Sequence, residues 1–355
     1  MAFLIFNRPK LTELIFEQIA KAKPPVLLVI ADGPRAGRVG EVELCQAART
    51  IIDRVNWDCQ VHKNYAENNL GCLRRVASGL DWVFDTVEEV IVLEDDCLPH
   101  PTFFRFCEEL LQKYRTDERL ALISGDNFQF GRKRTSHSYF FSIHNHVWGW
   151  ASWRRAWKNY NVTMSAWPEL RRQGWLNSWL ANEAGVRYWA DIFDRCFQGR
   201  IDDWSYAWTF ACWRQRQLSA LPNVNLITNI GFGPDSTHST DINFPLANLK
   251  SEPIVFPLSH PPRVKVNAKA DRFGDRIIFG IQPNYASKLL ATLKKTIFTF
   301  LLFFISLSLG VIIGEILVRT SGVCETWWEK NVAWWQQNTA WWKKNKNNYI
   351  SPYAE

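Results

Sequence analysis

The sequence has no cysteine pair at CxxC spacing, no N-terminal apolar run long enough for a signal core, and no basic stripe interleaved with aromatics. Each absence removes a class of protein. The eight cysteines, Cys45, Cys59, Cys72, Cys97, Cys107, Cys196, Cys212 and Cys324, are scattered, and a chain of 355 residues does not need covalent staples. They are expected to be free thiols in a reducing compartment, with no zinc site. Met1 to Phe6 is apolar, but Asn7-Arg8-Pro9 ends the run, so it reads as a first buried strand rather than a leader. The net charge is +7, yet much of the surplus lies beyond residue 262. With no recognisable module to carry it, no nucleic-acid partner is expected. Hydrophobic residues at 47% against 22% charged residues predict a folded chain with an ample core.

Three short runs rich in Val, Ile, Leu and Phe read as buried parallel strands: Phe3 to Phe6, Val26 to Ala31 and Val90 to Leu93. Helical patterns cover Leu11 to Ala22, Glu41 to Val55, Leu73 to Phe84 and Thr102 to Tyr114. The alternation predicts an α/β sheet with right-handed crossovers. Ligands collect outside the carboxyl ends of such strands, and those ends carry Asn7-Arg8, Asp32-Gly33 and Glu94-Asp95-Asp96. Three strands therefore aim polar groups at one crevice.

From about residue 120 tryptophan becomes dense. Some of these rings are core, while indoles also stack on the C–H faces of sugars, which makes Trp148, Trp150 and Trp204 candidate sugar contacts. Pro253, Pro257, Pro261 and Pro262 mark the end of a domain spanning 1–260, with 261–293 expected as linker. Ile297 to Ile313 is almost wholly apolar and would run ~26 Å as a helix, near the lower limit for a membrane span. Lys294, Lys295 and Arg319 bracket it, so 294–319 is expected to be a transmembrane or membrane-anchoring helix. In 320–355 the pairs Trp327-Trp328, Trp334-Trp335 and Trp341-Trp342 repeat every seven residues, as on an amphipathic tail at the headgroup level. With no leader, and with the basic flank before Ile297, the catalytic domain is expected on the cytosolic side of a membrane.

The sharpest chemical motif is Val92-Leu93-Glu94-Asp95-Asp96-Cys97-Leu98-Pro99. Consecutive carboxylates at the end of an apolar strand are costly unless something positive sits against them. A hard divalent cation, Mn²⁺ or Mg²⁺, that also grips phosphates is the natural partner.

Phe6-Asn7-Arg8-Pro9, Ala31-Asp32-Gly33-Pro34, Asn68-Asn69-Leu70-Gly71 and the stretch LEDDCLPHPTFFRF from Leu93 occur in that order. His146-Val147-Trp148-Gly149-Trp150, Asp202-Asp203-Trp204 and NLITNIGFGPDSTHS from Asn225 follow. Together the blocks resemble GT-A glycosyltransferases, in particular N-acetylglucosaminyltransferase I and its bacterial relatives, across roughly residues 1 to 240. The resemblance implies a GT-A fold, a Rossmann-like mixed sheet flanked by helices. It also implies inverting, metal-dependent transfer of a sugar, of hexosyl or N-acetylhexosaminyl type, from a nucleotide-sugar donor. By resemblance Asp96 is the direct metal ligand, Asp95 contacts the sugar or ribose with Glu94 in support, Asp32 reads the base, and Arg8 meets the nucleotide or diphosphate. The acidic-Trp block matches Asp202 and Asp203, with Asp202 preferred as the base; Ile201 stands where the animal enzyme has an aromatic. His238 is a further candidate metal or diphosphate ligand, and Gly231 and Gly233 are expected to let its loop approach the nucleotide. His144 and His146 are either acceptor-side residues or packing.

Two other classes fit parts of the pattern. The same carboxylates would serve a metal-dependent nucleotidyl or phosphoryl enzyme, and the tryptophans a non-catalytic, membrane-tethered sugar-binding protein. A glycan or lipid-linked acceptor suits a membrane partner, but the motifs do not identify it.

Overall fold

β1 (Ala2–Ile5) alternates Ala2 and Leu4 on one face with Phe3 and Ile5 on the other, and all four are buried. A strand buried on both faces needs helices above and below, and the chain supplies them in a regular alternation. This computed structural model describes residues 1–180, 182–233, 245–247, 249–282 and residue 332. After β1 come α1 (Pro9–Ala22), β2 (Val26–Ala31), α2 (Glu41–Ile51), β3 (Gln60–Tyr65), α3 (Gly71–Thr86), β4 (Glu89–Glu94), β5 (Cys97–Pro99) and α4 (Thr102–Lys113). The second half adds β6 (Leu120–Ser124), β7 (Tyr139–Ser142), β8 (Trp150–Trp153), α5 (Arg154–Trp157), α6 (Trp167–Arg172), α7 (Glu183–Phe197), α8 (Ser205–Arg214), β9 (Leu218–Pro222), β10 (Ile227–Asn229) and α9 (Ala268–Ile277).

The main sheet has eight strands in the order β3-β2-β1-β4-β8-β6-β9-β7. β1 pairs in parallel with both β2 and β4, whereas β8 runs antiparallel to β4 and to β6. The sheet is thus mixed, as expected of a Rossmann-like fold. The chain steps from β1 outward through β2 to β3, then α3 carries it back to β4 on the other side of β1. That reversal makes the gap beyond β1 and β4 a topological switch point, where a crevice opens. β5 and β10 form a separate antiparallel pair, with Asn229 opposite Cys97, directly after the acidic triplet.

Phe3, Leu27, Val29 and Leu93 share one core with Phe103, Phe106 and Leu110 of α4. Leu4, Leu28, Ile30 and Val92 share the opposite core with Val76, Leu80 and Val83 of α3. A third cluster joins α6, α7 and α8 around Trp167, Trp189, Phe193 and Trp213. Most of the tryptophan density therefore closes a core. Trp150 belongs there too: it is 0% exposed in β8 and packs on Trp157, Trp204 and Trp208. The expectation that it meets a sugar is corrected, because no solute can reach it.

The expected linker is also corrected. The described residues up to 282 form one compact unit. Asn267 donates its backbone N–H to Phe141 O at 2.7 Å, and Asp271 accepts from Ser142 Oγ at 2.6 Å, so α9 docks on β7. Among the described residues no helix is long and apolar enough to cross a membrane. The apolar run 297–313, the Trp-pair repeat and His238 lie outside the described residues.

Candidate functional site

A cavity of about 400 Å³ opens at the switch point, lined by Arg8, Asp32, Arg75, Glu94, Asp95, Asp96, Trp148, Asp202, Asp203, Trp204 and Gly231 among others. The register explains the assembly. Parallel pairing of β1 with β2 and β4 brings Arg8, Asp32 and Glu94-Asp96 to the same sheet edge. Val92 pairs with Trp150 across antiparallel β4 and β8, so the turn before β8 delivers Trp148 beside the end of β4.

Arg8 faces the acidic triplet directly. Its Nη2 pairs with Asp95 Oδ1, and its Nη1 lies 3.0 Å from Asp96 Oδ2. Burial pulls the guanidinium down, but the charges of Asp95 and Asp96 outweigh it and hold Arg8 above its ordinary range. Burial first, and then the neighbouring carboxylates, push Glu94 well above the usual carboxylate range. Asp95 is pushed up by burial against the opposing charge of Arg8. One guanidinium thus stands against three carboxylates, and the cluster still favours a further cation. Gly231 lets the chain after β10 pass over this group: a Cβ there would lie 2.2 Å from Asp96 Oδ2. The tight approach is to Asp96, a partner that sequence reading did not name.

Asp32 has a different occupation from the expected one. Oδ1 accepts from the backbone N–H of Gly33 (2.8 Å) and Leu70 (2.9 Å), and Oδ2 from Asn69 Nδ2 (3.0 Å) and Gly71 N–H (3.1 Å). Four donors saturate a carboxylate, leaving no lone pair to read a nucleotide base. Asp32 instead holds the turn that starts α3 against the cavity. Asp32→Ala orphans these donors and is expected to cost about 3 kcal/mol, read as a lower urea midpoint. An unchanged midpoint contradicts this role.

The rim beside Arg35 is closed by Glu41, which is almost buried. It accepts from Arg35 Nε at 3.0 Å and from Asn7 Nδ2 at 2.9 Å, tying the end of β1 to the loop before α2. The hydrogen bond from Arg35, outweighing burial, lowers Glu41 from 4.5 to about 2. A depressed folded pKa means that this contribution is complete above about pH 4.5 and is lost as pH falls through about 2. Wild type is expected to be more stable than Glu41→Gln at neutral pH, with the difference shrinking toward pH 2 in paired urea titrations.

Asp202, also in the lining, reaches the first turn of α3. Oδ1 accepts from Leu73 N–H at 2.9 Å and Oδ2 from Cys72 N–H at 3.3 Å. Asp203 Oδ1 accepts from the N–H of Ser205, the first residue of α8, at 2.7 Å. Both carboxylates meet helix N-termini, where the dipole favours negative charge. Asp202 is exposed and Asp203 half-buried. Trp148 and Trp204 both line the cavity, and Trp148 N–H is held by buried Asp126 Oδ2 at 3.0 Å. His144 and His146 are buried away from that lining.

Several lining groups escaped sequence reading. Arg75 is 5% exposed and donates to Ala31 O at 3.1 Å and to Asn64 O at 2.6 Å, bracing β2 and β3 under the cavity. A cation on the apolar stripe of Val76, Leu80 and Val83 was its available signal. Phe232 lines the cavity too and carries no local signal of its own.

A metal fits the acidic end on chemical grounds. Asp96 is a hard oxygen donor whose side chain is only 15% exposed, beside carboxylates whose mutual repulsion a cation relieves. Among the described residues no three His, Cys, Asp or Glu side chains converge as a complete metal site. A cation gripped by one or two carboxylates and by substrate phosphates does not need such a set.

No family model matches this chain, and no curated protein matches it. Among solved structures it is similar to a mannosyltransferase from Pyrobaculum calidifontis in complex with GDP-Man and Mn²⁺, at 16% identity and TM-score 0.32, covering 44% of this chain and 45% of that one. The match therefore spans less than half the length of that protein. Apo UDP-glucose pyrophosphorylase is similar at 10% identity and TM-score 0.32 over 62% of this chain and 90% of that one. UDP-glucose pyrophosphorylase complexed with UDP-glucose follows at 12% identity and TM-score 0.23, covering 41% and 62%. Likenesses this distant carry no argument about activity, which rests on the cavity and its residues.

Proposed function

We propose that this protein is a glycosyltransferase that moves a sugar from a nucleoside-diphosphate donor to an acceptor hydroxyl, with inversion at the anomeric carbon. The observation that carries the reading is one cavity lined by two acidic groups, each held by different elements. Glu94-Asp95-Asp96 with Arg8 forms the donor end at the switch point, and Asp202 with Asp203 enters the same cavity at the first turns of α3 and α8.

At the donor end, Asp95 orients Arg8, whose positive charge faces the phosphates. Mn²⁺ or Mg²⁺ held by Asp96 and completed by phosphate oxygens supplies, when bound, neutralisation of the departing diphosphate. Glu94 lines the sugar side of the same pocket. At the other end, the amides of α3 keep Asp202 aimed, and each oxygen retains a second lone pair. Asp202 takes the proton of the acceptor hydroxyl; the hydroxyl oxygen bonds to the anomeric carbon as the bond to the diphosphate breaks. Asp203 supports it by fixing α8. Trp148 forms the apolar wall against which a sugar ring stacks, and Trp204, buried at the cavity's edge, backs that wall. The resemblance to N-acetylglucosaminyltransferase I suggests the type of sugar and mechanism. The acceptor is proposed to be a glycan or lipid-linked hydroxyl beside a membrane, with the catalytic body on the cytosolic side, on the strength of the apolar run and basic flank of the sequence.

The test is a panel of nucleotide sugars with and without Mn²⁺, followed by calorimetry on the full chain. Metal-dependent binding of at least one nucleotide sugar is expected. Absence of binding across the panel sinks the proposal.

A further inference from the structure

Several surface arginines are neutralised by a carboxylate, as Arg54 is by Glu13, Arg115 by Glu89, Arg154 by Glu88 and Arg172 by Glu169. One region instead gathers several unpaired cations together. The loop Gly131-Arg132-Lys133-Arg134 packs against α9, where Asn267 Nδ2 donates to Arg134 O at 3.0 Å. α9 sorts its charges by face. Asp271 turns inward to Ser142 Oγ (2.6 Å) and Asp275 to His144 Nε2 (2.9 Å), while Lys269, Arg272 and Arg276 are exposed at spacings that place them on one side of the helix. Among the described residues, Arg132, Lys133, Arg134, Lys269, Arg272 and Arg276 form no ion pair.

Three of these cations crowd one ring. The guanidinium carbons of Arg132, Arg134 and Arg276 lie 4.6, 4.8 and 5.8 Å from the centroid of Phe273. The ring attracts each of them, but they repel one another. Arg134 is half-buried: its Nε donates to Gln129 Oε1 at 2.5 Å, and its Nη2 is buried with no partner. Burial, and then the charge of Arg132, lowers the Arg134 guanidinium. Uncompensated charge of this kind is what a phosphate oxygen relieves through charge-assisted hydrogen bonds.

We propose that Arg132, Lys133, Arg134 and the outer face of α9 form a docking surface for anionic phospholipid headgroups, seating the catalytic body on a membrane. The stripe from Lys269 to Arg276 extends ~10 Å along the helix, more than a single phosphate spans. In the sequence, the apolar run at Ile297 follows Ile277 by 20 residues, so the basic face and the membrane-type segment are neighbours along the chain. Each basic group near an anionic surface adds to the attraction, and salt screens it. The surface sits at the β7 edge of the sheet, away from the strands that build the cavity, and the inference does not depend on the transfer reaction.

The test is flotation of the full chain with phosphatidylcholine vesicles and with vesicles that also contain phosphatidylglycerol, at low and high salt. Wild type is expected to favour the anionic vesicles, and high salt to erase that preference. The triple variant Arg132→Gln, Lys133→Gln, Arg276→Gln is expected to lose the preference by on the order of a hundredfold, while binding to neutral vesicles is unchanged. The pair Lys269→Gln, Arg272→Gln, which leaves the ring contacts intact, is expected to lose on the order of tenfold and stands in should the triple variant misfold. Equal preference in wild type and variants overturns the proposal, with the charge then met by the chain's own carboxylates. Displacement by inorganic phosphate beyond that by chloride of equal ionic strength also overturns it, since the patch is then a soluble-anion site.

Discussion

Asp202→Asn is expected to lower kcat by 10²- to 10⁴-fold, the range removed with a general base, while donor affinity stays within about twofold. The split follows from the geometry. The carboxylate bonds to α3 amides and to neither Arg8 nor the triplet, so the donor end keeps its pairing, yet the substitution removes the group that accepts the acceptor's proton. Asparagine keeps one oxygen for an α3 amide and presents an NH₂ to the other, so a stability loss of about 1 kcal/mol is expected alongside. Asp203→Asn should cost that stability through α8 with a smaller effect on turnover, because its Oδ1 is engaged by Ser205 N–H at 2.7 Å. Rapid-mix single-turnover assays with both variants check the assignment. A larger chemical defect in Asp203→Asn than in Asp202→Asn moves the base to Asp203.

Asp96→Ala is expected to weaken Mn²⁺-dependent donor binding by on the order of a hundredfold or more, with little change in folding. Arg8 remains paired with Asp95 after the change, so no buried charge is stranded. The loss therefore reports on the donor end itself. Gly231→Ala should resemble it from the other side, since the added carbon would meet Asp96 Oδ2 at 2.2 Å and displace the carboxylate. Titration of Mn²⁺ and donor by calorimetry separates the two. Donor binding that survives Asp96→Ala undiminished removes Asp96 from the site.

Strands at the centre of the sheet were legible because burial on both faces demands unbroken runs such as Val26 to Ala31. β3 was not: Gln60 to Tyr65 is a half-exposed edge strand whose QVHKNY composition resembles a loop. The acidic triplet and Arg8 were legible as strand ends, but their mutual pairing required the register of β1 against β4. Asp32 was misjudged because its four donors come mostly from a turn nearly 40 residues away, and a sequence shows no such closure. Trp150 and Trp148 sit two positions apart in one motif, and only the antiparallel pairing of β8 decides which ring is core. Asp202 reaches α3 across 129 residues, a contact set by the fold rather than by local pattern. The proline-rich stretch near residue 260 does break the chain direction, but α9 returns to the body through Asp271 and Asp275, carboxylates that look solvent-facing in the sequence.

The central claim is that this cavity breaks the bond between sugar and diphosphate, using an acidic donor end and a separate base. The most direct measurement incubates the bound nucleotide sugar with Mn²⁺ and the full chain and identifies which nucleotide is released. Nucleoside diphosphate and free or transferred sugar, lost together in Asp202→Asn, are predicted. Nucleoside monophosphate with sugar phosphate, or nucleoside triphosphate when pyrophosphate is added, would place the cleavage within the diphosphate and contradict the account.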